Sequence, residues 1–173
     1  MRKSVLVIAA VQTCIPSRPG NANLQNLEAM LTLLDQVQRH GGRKDICLFP
    51  AVALPGDALP HLAQAARRYS CMLIFGTEVS PAVGGILVTT IAPTGEIRVE
   101  HAAGHGASVF TLRTRHGAYR VVDCAAEGQY PESAGLMTAI HSPDGRAIVA
   151  SRSRAEQAVA AVLDVGSDQP QGR

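Results

Sequence analysis

Residues 44–55, KDICLFPAVALP, and residues 120–132, RVVDCAAEGQYPE, decide how this chain folds. Each is an apolar run of strand type that ends abruptly in small residues and a proline. In a layered α/β protein, reactive side chains sit at such carboxyl ends. The strand holds its last residue rigidly while the following loop leaves it accessible. One of these ends carries Cys124. The other carries Ala51, where a working site would place a charged group.

The residues flanking these two runs set the frame. With 173 residues, the chain is long enough for one domain that buries roughly 70% of its unfolded surface. It is 46% hydrophobic and 17% charged, poorer in charge than the usual ~25%. Aromatic residues make up only 3%, with no Trp, so Val, Leu, Ile and Ala must build the core. The net charge of +2 comes from dispersed arginines. No basic run is interleaved with aromatics, which argues against nucleic acid as a partner.

The opening MRKSVLVIAAVQ imitates a secretory leader, but its apolar run is short and Gln12 and Thr13 follow without a small-residue cleavage site. It reads as a buried first strand. No apolar stretch approaches the ~18 residues of a membrane span. Cys14, Cys47, Cys71 and Cys124 form no CxxC pair. They read as reduced, buried thiols of a cytoplasmic protein, with Cys14, Cys47 and Cys71 in or beside apolar segments.

In chain order, residues 4–12 form a strand and 15–20 a loop. Residues 21–40 show the clearest helix. Leu24, Leu27, Leu31, Leu34 and Val37 fall on one stripe, Asn21 or Asn23 caps the start, and Gly41-Gly42 stops it. Residues 45–50 are the second strand, 60–69 a short helix with Leu62, Ala65, Ala66 and Tyr69 inward, and 71–79 a third strand. The texture then changes. Residues 84–92, 96–101, 108–113, 118–124, 136–141, 146–151 and 157–165 are all strand-like, with SPDGR as a hairpin turn. Alternating strand and helix therefore give way to hairpins, which implies helices over one sheet and hairpins building another.

In this order the segments resemble the nitrilase, or carbon–nitrogen hydrolase, superfamily. SVLVIAAVQTCIPSRPGNANLQNLEAMLTLLDQV resembles its opening strand, loop and first helix. KDICLFP is similar to its second strand, LAQAARRYSCMLIFGTEVS to its next helix and strand, and GGILVTTIAPTGEIRVEH to the hairpin after them. GAYRVVDCAAEGQYPE resembles the strand bearing the nucleophilic cysteine, and GLMTAIHSPDGRAIVASRSRAEQAVAAVLDV its closing hairpin. The resemblance covers nearly the whole chain. It implies a shortened nitrilase-like layered α-β-β(-α) sandwich, with one domain over residues 1–166 and a tail at 167–173.

Enzymes of that family act on amide and nitrile C–N bonds with a Glu–Lys–Cys triad: a thiolate attacks carbon, a carboxylate moves the proton, and an ammonium stabilises the oxyanion. By the resemblance, Cys124 occupies the nucleophile's position, in a loop one residue longer than usual. Ala51 stands where the glutamate belongs, and the lysine's position falls at His101 or Ala102, with Ala102 preferred. The chain has only two lysines, Lys3 and Lys44. The family's longer stretch between Pro55 and Leu59 and its strand–helix block after Glu132 are also missing.

Glu127, three residues past Cys124, is the candidate replacement carboxylate, with Glu132 and Glu78 as alternatives. His101 and His105, spaced H-x-x-x-H, are candidate binding residues or bases, but no third ligand lies at a diagnostic interval, so no metal is expected. GHGAS at residues 104–108 lacks the context of a dinucleotide site, and no cofactor is expected. Two readings follow. One is a non-catalytic scaffold, regulatory or binding protein acting through association with its own copy or a full-length relative. The other is a divergent thiol amidase using Cys124 with Glu127 or a histidine. A sheet that has lost its helical cover should show an apolar face, and that expectation motivates the association.

Overall fold

The computed structural model describes residues 4–17, 19–78, 86–102, 107–124, 138–153 and 155–166. These form two α-helices and ten strands. Strand β1 (Val5–Gln12), helix α1 (Leu24–Arg39), β2 (Ile46–Ala51), α2 (Ala58–Tyr69) and β3 (Met72–Glu78) make up the alternating half. The hairpin half comprises β4 (Ile86–Ile91), β5 (Ile97–Ala102), β6 (Ala107–Thr114), β7 (Gly117–Cys124), β8 (Ala139–His141), β9 (Ala147–Ala150) and β10 (Gln157–Asp164).

A six-stranded sheet runs β10-β1-β2-β3-β4-β5, and a four-stranded sheet runs β6-β7-β8-β9. β1, β2 and β3 are mutually parallel, and every other pairing is antiparallel. Both helices lie on one face of the larger sheet. There Leu27, Met30, Leu34, Leu62 and Ala66 pack on Ala9, Val11, Cys47, Phe49, Leu73 and Phe75. Phe49 and Phe75 are register partners and fully buried, so each contributes about 1.5–3 kcal/mol of apolar burial.

The other face packs on the smaller sheet, with Ile8, Ala10, Ile46, Leu48, Ile74, Val159 and Leu163 against Tyr119, Val121 and Ile140. Strands of the middle layer are thus apolar on both faces, as the run ICLF in β2 requires. The smaller sheet is not apolar on its outer side. Thr111, Arg113 and Arg120 are exposed there, and among the described residues of that face Ile148, 45% exposed, is the exposed large apolar side chain. The expected apolar outer face is therefore not found among the described residues. No helix of the described residues is long and apolar enough to cross a membrane.

Local chemistry sets the helix ends. Asn23 caps α1, its Oδ1 accepting from the Asn26 N–H at 2.9 Å. Past its end, Gly41 and Gly42 take φ of 67° and 85°, a region glycine enters without the cost a Cβ imposes. The apolar stripe differs from the sequence reading at one position. Leu24, the first residue of α1, is exposed, and Met30 is fully buried. The predicted tail at 167–173 lies outside the described residues.

Candidate functional site

The three parallel strands β1, β2 and β3 end together at Gln12, Ala51 and Glu78. Two further strands end on the same side. β4 reverses β3 and β5 reverses β4, so β5 finishes at Ala102, the register partner of Ile86, which in turn pairs with Glu78. The Tyr119 hydroxyl donates to the Asp164 carbonyl at 3.2 Å, and Asp164 pairs with Val5 at the start of β1. β7 therefore begins where β1 begins, and Cys124, its last residue, lies at the end shared by Ala51 and Ala102.

Ala51 is 1% exposed. It pairs with Gly76 across a register shift in β2, on the face that looks toward the second sheet. A Cβ built on Gly76 would stand 3.3 Å from the Ala51 methyl and 2.8 Å from Ile86 Cγ2. The end of β2 is thus a close apolar contact of two minimal side chains. Positions 51 and 102 share a sheet end without adjoining, since β3 and β4 lie between their strands, roughly 14 Å at ~4.8 Å per strand step.

The register also separates His101 from Ala102. His101 pairs with Leu87, and Ala102 with Ile86. His101 therefore belongs to the helix-bearing face of the sheet, where it is exposed. In β7, the backbone register pairs Asp123 with Ser108 and Cys124 with Ala107. Glu127, Glu132 and His105 lie outside the described residues. Among the described residues no three His, Cys, Asp or Glu side chains come together as a metal-ligand set.

Lys44, the described lysine, sits at the opposite end of the sandwich, just before β2. Its ammonium donates to the carbonyls of Val37 (3.1 Å), His40 (2.6 Å) and Gly42. A cation with three donors closes the carbonyl end of α1, where the helix dipole favours positive charge. Gln38 completes the arrangement by accepting from the Lys44 N–H at 3.0 Å.

The sequence reading missed a polar cluster at the end of β1. Gln12 Nε2 donates to the carbonyls of Ser153 (3.0 Å) and Ala155 (2.6 Å). Glu156 Oε2 accepts from Thr13 Oγ1 and from the Cys14 N–H, both at 3.1 Å. These bonds tie the strand end to the segment leading into β10. Only the polar run QT after an apolar strand hinted at them. Cys14 itself is exposed, contrary to the expected buried thiol. Partial burial and then the Glu156 carboxylate push its pKa up.

Cys47 and Cys71 are buried free thiols, joined by a hydrogen bond that drives the Cys47 pKa far upward and draws that of Cys71 down. Gln38 Nε2 adds a donor to Cys47 Sγ at 3.4 Å. Both sit in the helix–sheet core, away from the strand ends.

Helices on one sheet, a second antiparallel sheet behind it and strand ends gathered on one side define a nitrilase-like sandwich, here in a shortened form. The fold is that of an amidase from Nesterenkonia sp., with TM-score 0.58 and 12% identity over 96% of this chain and 93% of that one. A double mutant of the amidase from Nesterenkonia sp. AN1 in complex with acrylamide superposes with TM-score 0.60 and 12% identity, covering 94% and 92% of the two chains. A CN-hydrolase superfamily protein from Xanthomonas campestris, solved with an arsenic adduct in its active site, gives 0.56 and 12% over 93% and 91%. By sequence, no protein-family model and no curated protein matches the chain.

Proposed function

We propose that this chain is a catalytically silent nitrilase-fold protein that works in the cytoplasm as a scaffold, regulatory or binding subunit, through association with its own copy or with a full-length relative. The observation that carries the reading is the end of β2. Ala51, in the position the family gives to its glutamate, is buried against Gly76 and offers no group to move a proton. Support also comes from Lys44, whose ammonium is engaged at the far end of the fold.

The competing reading, a divergent amidase using Cys124 with Glu127 or a histidine, requires an activated sulfur. Alkylation of Cys124 by iodoacetamide across pH separates the two, with peptide mapping to resolve it from the other three cysteines. An ordinary thiol profile, its rate rising through pH ~8.5, supports the silent protein. A fast reaction that persists well below neutrality supports the amidase.

A further inference from the structure

The larger sheet has two edges, and they are built differently. β5 carries Arg98 and Glu100, charges that discourage another strand from pairing along it. β10, QAVAAVLD, has no Lys, Arg or Pro, and its one charge is Asp164 at its end. The smaller sheet's edges are also protected, β6 by Arg113 and β9 by its four-residue length. β10 is the long edge among the described residues with no guard along it.

The ladder shows which of its groups face away from β1. Val165 N–H donates to the Ser4 carbonyl at 2.9 Å, and the register continues from Val5↔Asp164 to Gln12↔Gln157. In an antiparallel ladder, hydrogen-bonded positions alternate. Residues 157, 159, 161 and 163 therefore turn their N–H and C=O toward β1, while Ala158, Ala160 and Val162 turn theirs outward, as does Asp164, whose carbonyl also accepts from the Tyr119 hydroxyl at 3.2 Å. Side chains of the same outward set are exposed, Val162 at 67%. The apolar strip continues onto β1 through Val5, 42% exposed.

We infer that β10 pairs antiparallel with β10 of a second copy about a two-fold axis, joining the two large sheets into one. Outward backbone groups call for an extended strand, and β10 is complementary to itself. Val162 falls opposite Ala160 of the second copy and Asp164 opposite Ala158, small side chains that let the strands approach. Shifting the register by one hydrogen-bond repeat sets Asp164 opposite Glu156 of the second copy, a like-charge pair. The opposite shift carries Ala158 to Gly166, past the end of the strand. The inference rests on the associative part of the proposed reading and names its surface.

Light scattering on the full-length chain, from micromolar concentration upward, tests it. The wild type is expected at twice the chain mass. Ala160→Pro removes an N–H that β1 does not use, and Val162→Lys places a charge on the exposed strip. Both are expected to run as monomers with an unchanged circular dichroism spectrum. If Ala160→Pro does not fold, Val162→Lys decides alone. A wild type that stays monomeric, or a dimer that survives in the folded variants, overturns the inference. So does a monomer that dimerises only when residues 167–173 are removed, since the chain's own tail would then occupy the edge. A monomer that turns over no amide removes this surface and leaves the silent site standing. Amide turnover by a dimer does the reverse.

Discussion

Ala51 and Gly76 face each other across β2 and β3 so closely that a methyl group added to Gly76 would stand 3.2 Å from the Ala51 backbone and 2.8 Å from Ile86 Cγ2. Backbone cannot move aside as the tip of a long side chain can. Gly76→Ala is therefore predicted to destabilise the fold by about 1–3 kcal/mol, read as a lowered urea midpoint with an unchanged slope. An unshifted midpoint would show that the strand end is looser than its geometry.

Lys44 holds three carbonyls at the end of α1. Methionine at this position fills similar space without donors, leaving those carbonyls without their cation. Lys44→Met is predicted to cost about 1–3 kcal/mol, measured by chemical denaturation. Because this lysine lies at the opposite end from Cys124, the same substitution should leave the alkylation rate of Cys124 unchanged.

The SPDGR turn makes a prediction about pH. Hydrogen bonds from Ser142 and then Arg146, whose Nε lies 2.7 Å from Asp144 Oδ2, lower the Asp144 pKa to about 2. A carboxyl whose folded pKa is depressed adds stability that is fully present above its unfolded value of 3.8 and is lost as pH falls toward 2. Carboxyl titration by NMR should place its midpoint near 2, and Ser142→Ala should raise it. A midpoint at the ordinary value would remove the turn's contribution.

Much of the fold was legible in the sequence because burial on both faces leaves a plain signature. The runs around Ile8, Leu48 and Ile74 became the middle layer, and every predicted strand has a counterpart among the described residues. The misses share a cause. Leu24 opens α1 and Cys14 follows the end of β1, and neither a helical stripe nor an apolar run says where packing stops. The outer side of the small sheet was expected to be apolar, yet Arg113 and Arg120 are exposed on it. Part of the clue was in β6, where Thr111 and Arg113 alternate with Phe110 and Leu112, and in Arg120 of β7.

The candidate site was legible only in part. Residue identity alone placed Ala51 and Cys124 at strand ends, which the topology puts on one side of the sandwich. That His101 lies on the helix-bearing face needed the pairing of β4 with β5, which a one-residue slip would reverse. Lys44's attachment to α1 was invisible in the sequence, because a basic residue after two glycines reads as solvated.

The most direct test is ammonia release from butyramide and acrylamide by the purified full-length chain, run beside Cys124→Ser. A silent site predicts that both proteins match the buffer blank over hours. Release by the wild type that disappears in Cys124→Ser would contradict it.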